Sequence, residues 1–387
     1  MGASEHDFSS IMKLKPIFIF TLVLAVAMLI GLPFVIKGWD VQVSAKPTES
    51  TTVPTEGTTE GSTATQTEAP TEVPTEAPTE APTEAPTEPQ FPVYTLSFVG
   101  DCTLGCNDEY REQDIGYIKT VGEDYDYPMA NVRHIFEADD FTIANLEGPL
   151  TESGAKMDKQ YVFRGPVAYT AILTGSSIEA VTTANNHTWD YGSTGQASTA
   201  AALDAAGVAH AGREKSFLYT TDSGLTIGVY CDDFAFDKTH ITESIAALRE
   251  QGAEVVICAF HWGDERVYTP NGNQISWGRI AIDAGADIVY GHHAHVLQPV
   301  EHYNGGVIFY GLGNFSFGGN VNPSDHDTAI LQQQFVREPD GTLTMGDTIA
   351  IPCSISSVAD RNNYQPTPLA EGSEAYDRVM SKLGMTE

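Results

Sequence analysis

Beyond residue 90, acidic and imidazole side chains recur in patterns that suit metal binding. His293 and His295 are separated by one residue, so they would lie on one side of an extended segment, where side chains repeat every second residue. Such a pair could hold one metal ion or two neighbouring ions. Asp101 is a natural anionic ligand, and Glu147 could bridge to a second ion. His187, if it is not a ligand, could act as a general acid because the ordinary pKa of imidazole lies near neutrality.

The mixture of oxygen and nitrogen ligands narrows the choice of metal. It favours Mn²⁺, Fe²⁺ or Zn²⁺ over Ca²⁺, which takes oxygen ligands. Two ions about 3.5–4 Å apart would activate a water molecule and stabilise both the attacking and the leaving oxygen of a hydrolytic displacement. The residue types therefore predict one or two divalent ions as cofactor and hydrolysis as the chemistry.

Short apolar runs, each ending in polar residues or Gly, must position these side chains. The runs are 94–101, 141–148, 178–187, 225–233, 254–263, 286–295 and 306–315. Helix-like stretches lie between several of them, at 193–206, 242–251 and 275–284. The runs are rich in β-branched residues and do not alternate with polar ones, which is typical of strands buried on both faces. Their alternation with helices predicts an α/β architecture.

The polar ends of these strands form a convergent set. In open α/β sheets, ligands bind beyond the carboxyl ends of the strands. A single strand that ends in His is unremarkable, because a buried and hydrogen-bonded His is the commoner case. Many such ends make a set that a hydrophobic core does not need, and its members are Asp101, Asn145, Glu147, Asn185, Asn186, His187, Asp232, Asp233, His261, His292, His293, His295 and Asn314.

The charge of the chain argues against a nucleic-acid partner. The 387 residues include 20 Lys and Arg against 52 Asp and Glu, for a net charge of −32. Nucleic-acid binding depends on basic patches that neutralise phosphate. Residues 91–387 retain 40 acidic and 16 basic residues, and they are enough for one large α/β domain. Such a domain would repel a polyanion unless a local positive centre, such as a bound divalent metal, attracted it.

The N-terminal segment predicts a membrane anchor. Residues 16–36 form an uncharged run of 21 residues, which as a helix would span about 30 Å, one hydrocarbon thickness. Lys13 and Lys15 precede the run and Lys37 follows it, which favours a cytoplasmic segment 1–15 and an extracytoplasmic domain on the cell membrane. A cleaved signal peptide is the alternative, although the apolar run is long for that class. Met12 could equally be the true start.

Residues 37–90 predict a disordered linker. From 47 onward they consist mainly of Thr, Glu and Pro, with nine Glu and no basic residue. The segment offers no apolar face that could offset the entropy of ordering. Recurrent Pro and mutual repulsion among the Glu side chains favour an extended, semi-rigid spacer.

Six motifs follow one another in the domain: GDCTLG (100–105), NLEGPLT (145–151), TTANNHTWDYG (182–192), FHWGDE (260–265), GADIVYGHHAHVLQPVE (285–301) and YGLGNFSFG (310–318). In this order they resemble the capsule-synthesis CapA family, which is named for poly-γ-glutamate capsule production and is related to the calcineurin-like metallophosphoesterases. The resemblance implies a four-layer α-β-β-α sandwich with a metal centre at one edge of the sheets. We expect this domain at 91–335, with 336–387 as a C-terminal extension packed on it.

The resemblance also implies a role for individual residues. Glu147 stands where the bridging acid would be, and His187 resembles the acid or phosphate-contacting His. The metal ligands implied by the motifs are Asp101, Glu147, Asn186, His261, His293 and His295. The phosphoesterases carry Asp-x-His in the first motif, whereas Thr103 occupies the His position here, so one site has a missing or replaced ligand.

We therefore expect a membrane-anchored, metal-dependent, hydrolase-like protein that acts on an anionic extracellular polymer, such as poly-γ-glutamate, or on a wall component. The family implies a membrane synthase complex as a partner. The alternative is a non-catalytic assembly or export subunit with a vestigial metal site, which Thr103 would explain. A wall-spanning adhesin ranks last, since it leaves the polar strand ends unexplained.

Overall fold

The computed structural model describes residues 91–386. The predicted cytoplasmic segment 1–15, membrane anchor 16–36 and linker 37–90 lie outside the described residues. Within 91–386, no helix combines the length and the apolar character needed to cross a bilayer.

Two mixed β-sheets, of seven and six strands, form the frame of the described chain, and a two-stranded ribbon accompanies them. In chain order the strands are β1 (Val93–Cys102), β2 (Cys106–Asn107), β3 (Phe141–Leu146), β4 (Phe163–Arg164), β5 (Ala180–Thr182), β6 (Ala209–Ala211), β7 (Lys215–Thr220), β8 (Thr226–Asp233), β9 (Val255–His261), β10 (Ile288–His292), β11 (Val300–Tyr303), β12 (Gly306–Phe309), β13 (Asp327–Arg337), β14 (Leu343–Ser354) and β15 (Thr367–Pro368).

The centre of each sheet is parallel. The seven-stranded sheet has the order β15-β14-β13-β1-β3-β5-β6, in which β1, β3, β5 and β6 run parallel and β13 is antiparallel to β1. The six-stranded sheet has the order β11-β12-β10-β9-β8-β7, in which β8, β9, β10 and β12 run parallel. The carboxyl ends of the parallel strands of a sheet therefore lie along one edge of that sheet.

Helices cover the outer faces of the sheets, except the last one, which packs on the core between the sheets. They are α1 (Tyr117–Val121), α2 (Arg133–Phe136), α3 (Thr170–Thr174), α4 (Gly192–Ala206), α5 (Lys238–Glu250), α6 (Gly272–Asp283) and α7 (Glu374–Leu383), with short 3₁₀ turns at Asp108–Tyr110, Tyr127–Met129 and Val167–Tyr169. Alternate side chains of a strand enter different layers: Val229 of β8 lies in the core between the sheets, whereas Tyr230 packs with Ile245 of α5. Helices α1 to α4 pack in the same way on the first sheet.

The predicted α-β-β-α layering is the arrangement that residues 91–386 adopt. Every predicted run contains a strand, and the predicted helices correspond to α4, α5 and α6. Strands β5 and β12 are shorter than predicted, with three and four residues, because the polar ends of their runs leave the sheet and enter the site. Helix α5 begins at Lys238, before the predicted start, where the Asp237 side chain accepts the His240 N–H.

The C-terminal segment continues the first sheet. Strand β13 crosses the expected boundary at 335 and pairs with β1 on one side and β14 on the other. Helix α7 adds Val379 and Leu383 to the core between the sheets. The expected boundary thus falls inside a strand, and the residues after it are an integral part of the sandwich.

Candidate metal centre

The carboxyl ends of the central parallel strands of both sheets meet at one edge of the sandwich. Asp101 of β1 pairs in register with Asn145 of β3. His261 ends β9 and lies beside His292 at the end of β10. A bridge between Asp101 and Asn314 connects the chain that follows β12 to the first sheet. Residues from both sheets therefore contribute to one site.

Close backbone packing at this edge requires glycine at two positions. A Cβ at Gly100 would overlap the carbonyl oxygen of Gly313, which accepts the N–H of Asp101 at 2.8 Å. A Cβ at Gly291 would overlap the carbonyl oxygen of Tyr310. The two glycines therefore let β1 and β10 approach the segment that follows β12.

Asp101 is a buried carboxylate with several partners. The Asn145 Nδ2 donates to its Oδ1 at 2.8 Å, and the His295 Nδ1 lies 3.2 Å from its Oδ2. Burial alone would raise the pKa of Asp101, but the hydrogen bond and charge of His295 lower it below its usual value. Asp101 is thus held as the anion that a metal ligand must be.

Glu147 is fully buried, and neither of its carboxylate oxygens has a hydrogen-bond partner among the described residues. Burial raises the pKa of Glu147 to about 8. Its Oε1 lies 3.8 Å from the His261 Nε2 and 3.9 Å from the His295 Nε2. A buried carboxylate without donors is costly, and a cation between these atoms would satisfy it. The residues present therefore fit a divalent metal.

The histidines of the site are mostly held neutral, as metal ligation requires. Burial lowers the pKa of His261 well below its usual value, and it lowers the pKa of His293 to about 4. Burial alone would also lower the pKa of His295, but the carboxylates of Glu147 and Asp101 raise it to about 10. In the absence of a metal ion, His295 is thus protonated between the two carboxylates, and a metal ion that binds there would displace this proton.

Three groups of side chains in the described chain could each hold an ion, with their ligand atoms all within 4.8 Å of one another. Two of the groups share Glu147. The groups are Asp101 with Glu147 and His295, Glu147 with His261 and His293, and Glu265 with His293 and His295. Ions in the first two groups would have Glu147 between them, which is the arrangement that its predicted bridging role requires.

Asn186 is the one predicted ligand that belongs to none of these groups, because its amide is not an ionisable side chain. It is exposed, and its Oδ1 lies 2.9 Å from the His261 Nε2. The buried neighbour Asn185 fixes the turn by donating to the Asn145 Oδ1 at 3.0 Å and to the Leu146 carbonyl at 2.9 Å. The structure therefore brings Asn186 to the edge of the group that contains His261.

His187, the predicted general acid, lies beside the metal-binding groups in a defined orientation. Its Nδ1 lies 2.7 Å from the Asp190 Oδ2, and its ring stacks on Phe163 with the centroids 4.2 Å apart. The Lys159 Nζ forms an ion pair with the other oxygen of Asp190 at 2.6 Å. Burial lowers the pKa of His187 below its usual value, although Asp190 opposes that shift.

A cavity of about 230 Å³ opens next to these residues. His187 and His295 form one part of its lining, Phe163 and Phe317 another, and Arg266 contributes a cation. A substrate group in this cavity would contact the proposed acid and the edge of the metal-binding groups together.

The segment that carries the His pair departs from the sequence prediction. His293 and His295 were expected on one side of an extended segment, but their φ angles are 86° and 54°. The two rings still face one region, with centroids 6.0 Å apart. Left-handed backbone at two non-glycine residues is strained, and such strain is typical of functional sites.

Sequence reasoning missed several contributors. Asp190 follows His187 by three residues in the quoted TWDYG motif, and that spacing could have identified it as the partner of the His. Lys159 comes from a loop, where neither period nor motif spacing indicates proximity. Glu265 ends the FHWGDE motif four residues after His261, so its place in the motif could have identified it. Thr103 is buried, and its hydroxyl has no hydrogen-bond partner among the described residues.

The fold and the site define a class: two mixed sheets between helical layers, with a buried carboxylate and histidine cluster that suits a divalent metal at one edge. A family model described as "Bacterial capsule synthesis protein PGA_cap" matches residues 95–319. The chain belongs to this family, and the resemblance noted from its motifs is confirmed.

Individual relatives agree with the family assignment. "PGA biosynthesis protein CapA" of Bacillus subtilis is 31% identical over 275 residues, which cover 64% of this chain and 70% of that protein. "Capsule biosynthesis protein CapA" of Bacillus anthracis is 25% identical over 305 residues, covering 69% and 71%. Among solved structures, NAD nucleotidase of Haemophilus influenzae is similar with a TM-score of 0.41 and 12% identity, covering 77% of this chain and 63% of that one. A likeness this weak supports no conclusion about chemistry.

Proposed function

We propose that this chain is a metal-dependent, hydrolase-like protein that processes an anionic capsule or wall polymer of the poly-γ-glutamate type. The observation that carries the proposal is Glu147, a fully buried carboxylate whose two oxygens lack partners and which lies between His261 and His295. The names of the two Bacillus relatives support this type of polymer, since they assign those proteins to PGA or capsule biosynthesis.

The donor set suits Mn²⁺, Fe²⁺ or Zn²⁺, in one or two positions. Asp101 and His295 would hold one ion, His261 and His293 the other, with Asn186 at the second, and Glu147 would be shared. A divalent ion bound there supplies Lewis acidity toward a phosphoryl or carbonyl oxygen.

The protein side chains would orient and stabilise the proton donor. Asp190 fixes the ring of His187 through Nδ1 and stabilises its imidazolium form, so a proton taken up from water at Nε2 could pass to the leaving group. Phe163 stacks on the same ring and restricts its rotation. Lys159 forms an ion pair with the second oxygen of Asp190, which compensates the charge of that buried side chain.

An acidic substrate needs local attraction, because residues 91–387 carry 40 acidic and 16 basic residues. The ions would provide that attraction at the site, because the cavity wall itself carries Arg266 together with the acidic Glu265 and Asp325. Anchoring through residues 16–36 would hold the domain at the outer face of the cell membrane, where an exported polymer and its synthase complex lie.

A second candidate function is a non-catalytic assembly or export subunit. Thr103 favours it, because a threonine hydroxyl stands where the related phosphoesterases carry an imidazole. In that case the ions would have a structural or ligand-sensing role.

The test compares the full-length protein, purified without chelator, with its His261→Ala/His295→Ala and His187→Ala variants. Elemental mass spectrometry counts the ions, and phosphoesters and γ-glutamyl amides are screened as substrates. We expect one or two metal ions in the wild type, their loss in the double variant, and turnover that His187→Ala abolishes without loss of metal. Bound metal without turnover of any ester or amide would favour the assembly subunit. A wild type that takes up no metal after reloading with Mn²⁺ or Zn²⁺ would refute the metal centre.

A further inference from the structure

We infer that Glu265 is an additional carboxylate ligand of the metal centre, supplied by the loop that follows β9. The inference rests on the proposed function and concerns a residue outside the set that the motifs imply. Glu265 is exposed, and its carboxylate lies within 4.8 Å of ligand atoms of both His293 and His295. Each of these imidazoles also belongs to one of the two groups that share Glu147.

Backbone hydrogen bonds fix the loop against the segment that carries the His pair. The Trp262 N–H donates to the His292 carbonyl at 3.2 Å, and the Arg266 N–H donates to the Ala294 carbonyl at 2.7 Å. Glu265 lies between these two attachment points, directly before Arg266. The backbone of Glu265 is therefore fixed beside the segment that carries the His pair, and from there its side chain reaches the imidazoles.

His293 has a buried ring nitrogen that is available to an ion. His293 is 8% exposed, and its Nδ1 has no hydrogen-bond partner among the described residues. Glu265 forms no hydrogen bond or ion pair with a protein cation in residues 91–386. His293 therefore has a ring nitrogen, and Glu265 a carboxylate, that no protein partner occupies, and both groups are available to an ion.

Glu265 would compensate for the departure at Thr103. The threonine leaves the centre one imidazole short of the Asp-x-His pattern. Glu265 would restore the donor count with an oxygen, approaching from the solvent side while Glu147 approaches from the buried side. Three carboxylates, those of Asp101, Glu147 and Glu265, would then balance most of the charge of two divalent ions.

The replacement of a nitrogen donor by an oxygen donor predicts a change in metal preference. Carboxylates suit Mn²⁺, whereas imidazoles suit Zn²⁺. Removal of the Glu265 carboxylate should therefore weaken Mn²⁺ binding more than Zn²⁺ binding.

The experiment measures metal affinity directly, by competition with a fluorescent indicator, on the full-length wild type, Glu265→Gln and Asp264→Asn. Asp264→Asn is the matched control, because Asp264 is exposed on the same loop and its substitution removes the same charge. The Asp264 Oδ2 accepts a hydrogen bond from the Asn271 Nδ2 at 2.8 Å, and Asp264 belongs to none of the three groups. We expect Glu265→Gln to weaken Mn²⁺ binding by about tenfold or more, and Zn²⁺ binding by less. Asp264→Asn should stay within about twofold of the wild type for both ions.

If Glu265→Gln and Asp264→Asn weakened metal binding equally, Glu265 would act only as a surface charge, and the inference would be overturned. An unchanged Mn²⁺ affinity in Glu265→Gln would also overturn it, while the proposed function would survive if His261→Ala/His295→Ala still lost the metal. A wild type that binds neither ion would refute both. Circular dichroism of the metal-free variants establishes that each one is folded.

Discussion

Removal of the shared carboxylate should abolish both halves of the metal centre at once. Glu147 belongs to two of the three candidate groups, whereas His261 belongs to one of them. Glu147→Gln keeps the size of the side chain and removes the charge and one oxygen donor. We therefore expect this variant to lose every bound ion, and His261→Ala to lose only the ion on its own side.

The magnitude follows from linkage between binding and folding. A ligand that binds only the folded state, at about a thousand times its Kd, stabilises that state by about 4 kcal/mol. For a domain of the size of residues 91–386, 1 kcal/mol corresponds to roughly 2 °C in Tm, so saturating metal should raise the Tm by about 8 °C. Glu147→Gln should show a shift near zero.

The assay is thermal unfolding of the full-length protein with EDTA and with saturating Mn²⁺ or Zn²⁺. Glu179→Gln is the control, because Glu179 is also a largely buried acid but lies directly before β5, at the opposite end of the strands from the site. The control should keep the full metal-dependent shift. A Glu147→Gln protein that still gained several degrees with metal would refute the assignment of Glu147 as the shared ligand.

Three further predictions concern pH, the proposed acid and the backbone. Burial raises the pKa of Glu179 to about 7 from an ordinary 4.5, so its contribution to stability is complete below pH 4.5 and is lost as the pH rises through 7. Urea unfolding at pH 5 and pH 8 should show that Glu179→Gln is less sensitive to this change, by roughly 2 kcal/mol after solvent screening. His187→Ala should lower turnover by about 10²–10⁴-fold while elemental analysis finds the metal content unchanged. Gly100→Ala should destabilise the fold by about 3 kcal/mol in the same urea assay, whereas Gly272→Ala, with nothing within 4 Å of the added Cβ, should not.

The sequence predicts the strands of this protein well because both signals, the apolar runs and their polar ends, are local. Runs that are apolar throughout indicate strands covered on both faces, and β8 and β9 are buried along nearly their whole lengths. Where a run ends in polar residues, the strand stops early, as in β5, because those side chains serve the site. The order of the strands and the place of β13 beside β1 depend on contacts between distant residues, which local pattern does not encode.

The candidate site is predictable to the same extent. Ligands that end strands, such as Asp101 and His261, follow from topology, because the carboxyl ends of parallel strands meet at one edge. Residues on loops do not follow from it. Lys159 forms its ion pair with Asp190 from a bend. Glu265 lies near the His pair because main-chain hydrogen bonds join its loop to the segment that carries the pair. The left-handed backbone of His293 also cannot be predicted from the sequence pattern, since it depends on the tertiary packing of the surrounding chain.

The distribution of unsatisfied groups gives the strongest argument that the cluster serves binding and not folding. Elsewhere in the described chain a buried acid has partners: Asp327 accepts two hydrogen bonds from Arg378, both at 2.7 Å. At the site, both oxygens of Glu147 and both ring nitrogens of His292 lack a partner. Each such group lowers stability by about 1–3 kcal/mol. Unpartnered buried atoms occur elsewhere too, for example at Arg111 and Tyr169, but among the described acids it is Glu147, at the site, that lacks a partner at both oxygens. A divalent cation relieves the cost at the carboxylate, so the same residues that weaken the metal-free fold should strengthen the loaded one.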